Sequence, residues 1–215
     1  DQVLDAVGAS PTGLSAAEAE QRLQKFGKNA LAEAKKKSVP VVFLEQFKDL
    51  LVIILIIAAI ISMLSSNIES TIVIFAVLIL NAILGTVQHF KAEKSLESLK
   101  AMSSPTAKVI RDNTKTIIPS AQLVPGDIVE LEAGDMVVAD GRILESASMK
   151  IEEAALTGES VPVNKTADVL NAGAASEVPL GDRKNMVYMG STVVYGRGRA
   201  VITGTGMKTE MGKIA

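Results

Sequence analysis

Residues 50–87 read LLVIILIIAAIISMLSSNIESTIVIFAVLILNAILGTV, and the partition of this stretch decides the fold. Two apolar runs, 50–64 and 71–87, carry no charge, and only SSNIES (65–70) separates them. Each approaches the ~20 apolar residues that cross ~30 Å of hydrocarbon. Phe43, Leu44 and Phe47 extend the first run toward the N-terminus. Two segments that are apolar on every face are hard to bury in a small soluble domain. The pattern therefore predicts a transmembrane hairpin with spans at about 46–65 and 70–90.

Basic residues orient this hairpin. Glu69 is the one charge between the runs, whereas Lys35, Lys36, Lys37 and Lys48 flank one side and Lys91, Lys94 and Lys100 the other. By the positive-inside bias both ends are cytoplasmic. The first run begins roughly fifty residues into the chain, which does not fit a cleavable signal peptide.

On the N-terminal side of the hairpin, the chain reads as a small helical unit. Ser15 is a good N-cap for AAEAEQRLQKF, Glu18 stands at the capping-box position, and Gly27 stops the helix. Leu23 and Phe26 share a face, and the unit is expected on the cytoplasmic side, packed on the domain C-terminal to the hairpin. AEAKKKS (32–38) is a polar linker. Beyond the second run, HFKAEKSLESLKAM (89–102) keeps helical periodicity, so this helix is expected to leave the bilayer as a stalk, with Leu96 and Leu99 on one side. Ser103-Ser104-Pro105 ends it.

From Ala107 the texture changes to short β-branched runs: AKVIRD, TKTIIPS, DIVELEAGD, GRILES and MVYMGSTVVYGRGRAVITGTG. Turn signals fall at Pro125-Gly126-Asp127, Ala133-Gly134-Asp135, Asp140-Gly141 and Gly181-Asp182. Such spacing reads as a β-sandwich or barrel-like roll, with NAGAASEVPLGD (171–182) as an exposed loop. The expected organisation is a membrane α plus β chain: residues 1–40 a helical part, 41–104 the hairpin with its stalk, and 105–215 a β-rich domain.

Composition removes several chemistries. With no cysteine there is no disulfide framework or thiol nucleophile, and one histidine, His89, leaves no His-based zinc site or Ser-His-Asp triad. A net charge of −2 with scattered Lys and Arg gives no nucleic-acid footprint. What remains is IEEAALTGESVPV (151–163). Alone, Thr157-Gly158-Glu159-Ser160 is a turn, since Gly158 takes positive φ freely and Thr157 and Ser160 can bond their own backbone. The same residues also place one carboxylate, Glu159, beside the flexible Gly158, so a reading beyond a turn stays open.

The longer strings decide between these readings. GLSAAEAEQRLQKFGKNAL (13–31), FLEQFKDLLV (43–52), NAILGTVQHFKAEKSLESLK (81–100), LVPGDIVELEAGDMVVADGRIL (123–144), EEAALTGESVPV (152–163) and GTGMKTEMGKIA (204–215) resemble the N-terminal portion of P-type cation-transporting ATPases, in particular the calcium-pump branch. The resemblance implies that 105–215 is the actuator domain, a distorted jelly roll, and that the hairpin is the first two transmembrane helices. It implies that Glu159 orients and deprotonates the water that hydrolyses an aspartyl phosphate carried by another domain. Gly158 would let the backbone approach the phosphoryl group, and Thr157 and Ser160 would hold the loop and contact phosphate oxygens. Domain rotation would gate the membrane helices.

By the same resemblance, ATP, Mg2+ and transported Ca2+ belong to the full-length pump. Its phosphorylation and nucleotide-binding domains, its remaining transmembrane helices, the cation and membrane lipid are the partners. This portion is expected to hold no cofactor or metal itself and to be inactive alone, in a bacterial plasma membrane. Pro125-Gly126-Asp127 and Gly134-Asp135 are assigned structural roles, and Val138 stands where the family pattern has proline. Asn81 and Gly85 are assigned to helix packing or, for Asn81, to function within the membrane. Glu45, Lys48 and Asp49 either anchor the interface or line an ion access route. Two alternatives stay open: a different cargo (Na+, K+, H+ or Mn2+), and a non-enzymatic β binding module anchored by the hairpin.

Overall fold

The computed structural model describes residues 2–32, 36–102, 104–170 and 178–215. Parts of the expected linker (33–35) and of the expected exposed loop (171–177) lie outside them. Two compact units result: residues 2–32 together with those from 104 onward, and residues 36–102.

The first unit is built on an antiparallel sheet of β1 (Thr106–Arg111), β2 (Thr114–Pro119), β3 (Ile128–Glu132), β4 (Asp140–Glu152), β5 (Val163–Asn164), β6 (Met186–Val187) and β7 (Thr192–Gly204). The order is β2-β1-β3-β7-β4-β5, with β6 also on β4. All strands thus join one hydrogen-bonded sheet. β1 and β2 form a hairpin across Asp112 and Asn113, whose φ of 48° and 57° suit a turn that matches strand twist. The buried side chains, among them Val109, Leu123, Val129, Ile143, Ile151, Val193 and Ile202, form one aliphatic core.

GRILES covers only the first half of β4, which continues through SASMKIE to Glu152. Polar, weakly β-prone residues hide this half because packing, not propensity, holds it. It pairs with β7 along its length, with register shifts between Ile143 and Glu145 and between Ala147 and Lys150. There the backbones approach closely: a Cβ on Gly196 (φ +74°) would collide with the carbonyl oxygens of Ala147 and Ser148.

The N-terminal helices α1 (Gln2–Val7) and α2 (Ala16–Phe26) belong to this unit. The capping box forms as read: Ser15 Oγ accepts the Glu18 N–H, and Glu18 accepts the Ser15 N–H at 2.9 Å. Leu14 and Ala19 are buried with Val124, and Leu14 lies parallel to Arg111 in a β-bridge. Leu23 packs there, whereas Phe26 stays exposed beside the Lys25 and Lys208 ammonium groups. Arg22 donates to the carbonyls of Val7, Gly8 and Pro125, and Gly126 leaves room for its guanidinium. Asn29 donates to the Ser120 and Val138 carbonyls and accepts the Gly206 N–H, so the chain at Val138 is held without a proline.

The second unit comprises α3 (Val39–Glu45), a single 3-10 turn at Gln46–Lys48, α4 (Leu50–Leu64) and α5 (Ile68–Met102). Among the described residues, α5 alone is long and apolar enough to cross a membrane unbroken. Most of the first expected span, about 46–65, is α4, and α3 with its turn meets α4 at a 72° bend. Asp49 causes the break, because its backbone is extended (φ −65°, ψ 137°) and its carboxylate caps α4 through the Leu51 N–H. The 15 residues of α4 rise about 22 Å, short of the hydrocarbon thickness. α4 and α5 pack along a seam of Val52, Ala59, Leu78, Ala82 and Thr86.

Candidate functional site

β4 ends at Glu152, and the chain leaves the sheet for ten residues before β5 returns beside it, Ile151 opposite Val163 and Lys150 opposite Asn164. This excursion carries Thr157-Gly158-Glu159-Ser160 and joins β4 to the terminal strand of the sheet. It starts with α6 (Ala154–Thr157), a single turn whose origin is the Glu153 carbonyl. That oxygen accepts the N–H groups of Leu156 (2.9 Å) and Thr157 (3.0 Å) and the Thr157 hydroxyl (3.1 Å). Gly158 closes the turn in the left-handed region, φ +76°, donating to the Ala154 carbonyl. An added Cβ would meet nothing there, so this glycine supplies backbone freedom rather than space. The Thr157 hydroxyl then accepts the Glu159 N–H at 3.3 Å.

The structure thus brings all four expected residues onto one short loop, and Gly158, Glu159 and Ser160 are exposed. A carboxylate so placed can reach a surface presented to it. A cavity of about 440 Å³ lies elsewhere on the sheet, among Lys115, Glu130, Glu145 and Arg197, and no loop residue lines it.

Beneath the loop lies a pair that the sequence reading missed. Met149, Ile151 and Glu153 alternate onto the buried side of β4, and Glu153 meets Lys165, which follows β5. Glu153 Oε1 and Lys165 Nζ are 2.5 Å apart with both side chains 1% exposed. Burial pushes the Glu153 carboxyl up and the Lys165 ammonium down, each partner's charge offsetting part of that. Lys165 Nζ also sits 5.8 Å from the Tyr188 ring centre. Its backbone is fixed on both sides: its N–H donates to Met149 and its carbonyl accepts from Ser146 Oγ. Period-2 alternation from Ile151 was the available signal for Glu153.

The aspartates of the two expected turns are tied into the β unit. Asp127 is fully buried and takes Arg111 through Nε (2.8 Å) and Nη2 (2.7 Å) as well as the Val124 N–H. Asp135 accepts the Glu132 N–H and pairs with Lys108, stabilising the turn at Gly134. Gly85 is where the Gln46 side chain lies against α5, so a Cβ would collide with it. Asn81 is exposed and lies outside the α4–α5 seam. Glu45 pairs with Lys37 at 2.8 Å, and Asp49 is occupied as the α4 cap.

The structure thus presents an exposed carboxylate on a glycine-closed turn at the end strand of an antiparallel β domain, with the N-terminal helices docked on it. Sequence comparison identifies the domain: a profile described as the P-type ATPase actuator domain matches residues 101–215, and one described as the cation transporter/ATPase N-terminus matches residues 1–62. The chain belongs to the P-type ATPase family. A calcium-transporting ATPase of Listeria monocytogenes is 51% identical over 207 residues, covering 96% of this chain and 23% of its own. A calcium-transporting ATPase of Bacillus subtilis is 47% identical, covering 94% and 22%. A sodium/potassium exporting P-type ATPase of Schizosaccharomyces pombe is 40% identical, covering 95% and 20%. The chain spans about a quarter or less of the length of these relatives. Its family, together with the apolar helix α5, gives it a membrane location.

Proposed function

We propose that the chain is the actuator and first membrane segment of an ATP-driven pump that moves Ca2+, with Glu159 as its dephosphorylating group. The exposed position of Glu159 on a loop with its own hydrogen-bonded frame carries this reading. A phosphoaspartate on another domain of the pump is presented to the loop. Glu159 aligns a water with phosphorus and accepts its proton as the new P–O bond forms. The aspartyl carboxylate leaves, and inorganic phosphate is the product. Gly158 allows close approach, while Thr157 and Ser160 hold the loop and contact phosphate oxygens. ATP with Mg2+ supplies the phosphoryl group on parts of the pump beyond this chain.

In the membrane, α5 is one span and the bent pair α3–α4 the other, with both ends cytoplasmic in a bacterial plasma membrane. Rotation of the β domain moves these helices and gates ion access, a hinge-type motion. Calcium rests on the names of the Listeria and Bacillus relatives; the Schizosaccharomyces relative favours a monovalent cargo as the second reading.

The test is acid-stable labelling of the full-length pump by γ-labelled ATP in native membranes. Label that needs micromolar Ca2+ and is released by hydroxylamine is expected, and Glu159→Gln slows its decay about 10²- to 10⁴-fold. Calcium-independent label discards the cargo. Unchanged decay in Glu159→Gln discards the role of the loop.

A further inference from the structure

The hydrolysis proposed above leaves Glu153 and Lys165 without a task, although both are buried and charged. Such a pair is weak evidence for stability, since shape-matched neutral residues often serve as well. Its location is more informative. Glu153 begins the excursion that bears Glu159, and Lys165 follows the strand that ends it. A chain of contacts runs from Lys165 Nζ to the Glu153 carboxylate, from the Glu153 carbonyl to the Thr157 hydroxyl, and from that hydroxyl to the Glu159 N–H. Each link is one side chain or one peptide long, so displacement of Glu153 reaches the Glu159 backbone.

We infer that the Glu153–Lys165 pair positions Glu159, by locking together the two feet of the loop on which it is carried. The inference rests on the reading of Glu159 as the water-activating group. Neither residue touches the reacting atoms; both act through Thr157 and the α6 turn. The arrangement suits a loop that must be exposed to meet another domain and still keep its carboxylate in one place, because the lock lies under the loop and leaves its tip open. Tyr188, stacked near the Lys165 ammonium, holds the lock from the core side.

The test separates formation from decay of the phosphoenzyme in the full-length pump. Lys165→Met alone strands a buried carboxylate and can prevent folding, so the decisive protein is Glu153→Gln with Lys165→Met, which leaves no unpaired charge. Formation from ATP is expected at the wild-type rate, while decay slows about ten- to a hundredfold, as for a slightly misplaced catalytic group. Hydrogen exchange at the Thr157 and Glu159 amides should rise in the same protein, with the β4 and β7 amides unchanged. Wild-type decay, or formation and decay falling in parallel, overturns the positioning role. Unchanged loop exchange overturns it as well. Failure of the underlying reading is a different result, in which Glu159→Gln itself decays like wild type.

Discussion

In the β unit most of the large aliphatic side chains are kept from contact with solvent, whereas in the helical unit most of them are turned outward. Ile143 and Ile151 are 1% and 0% exposed, while Leu64 and Leu80 are 81% and 66% exposed. At its seam the helical unit buries Val52 and Leu78 together with the small Ala59, Ala82 and Thr86, and Gly85 lies beside Gln46. The contrast identifies the solvent each unit was built for. Water drives aliphatic burial in the first. In lipid that drive is absent, and close backbone approach through small residues takes its place.

On the water-built side, Asp127→Ala should be the most damaging change. It leaves the Arg111 guanidinium, 18% exposed as a side chain, without its carboxylate, with the Gln122 carbonyl still accepting from Nη2, and removes the acceptor of the Val124 N–H. A loss of about 3–5 kcal/mol is expected in thermal or denaturant unfolding of the β unit. A loss below about 1 kcal/mol, the range of surface pairs, would mean that this interior is wetter than its packing indicates. On the lipid-built side, Leu80→Lys should cost about 2.5–3.5 kcal/mol of membrane insertion, read from glycosylation-site mapping. Insertion unaffected by the lysine would mean that position 80 does not face hydrocarbon, which would erase the distinction between the two units.

A more modest loss is expected at the seam. Gly85→Val meets the far end of the Gln46 side chain, which can turn aside, and should cost about 1 kcal/mol. The thermal midpoint of the detergent-solubilised full-length pump should fall in this variant. If it does not, the bend at Asp49 lets the Gln46–Lys48 turn yield, and the first span is looser than the second.

How much of this was legible depends on the range of the determining interactions. The α2 capping box, the apolar runs and the Thr157–Ser160 loop could be read because their signals lie within a few residues. The bend before α4 was not legible, because Asp49 caps that helix through one local hydrogen bond while the apolar residues on both sides of it read as continuous. The second half of β4 could not be read from SASMKIE, because its strand conformation is imposed by β7 some fifty residues away. Glu153 hid for the opposite reason: adjacent Glu152 and Glu153 resemble a solvated pair, and only the pleat sends the second inward to Lys165.

The mildest change concerns where the β unit begins. α2 is attached to it by Leu14, Ala19 and Arg22, yet its first turn depends on Ser15 and Glu18. Ser15→Ala should cost about 1 kcal/mol. The Glu18 carboxyl is held below its ordinary value, first by the Ser15 N–H and then by the Ser15 hydroxyl. Folding therefore favours the ionised form. Its contribution is present above the usual glutamate range, about 4.3, and is lost as pH falls through the lowered folded value. Amide exchange at Glu18 should accelerate selectively in that acid window, before β1 or β7 responds, and Glu18→Gln should flatten the pH dependence. Acid fraying of α2 together with the sheet would show instead that the N-terminal helices and the strands melt as one cooperative block, and that the boundary of the water-built unit lies before Ser15 in energy as well as in contacts.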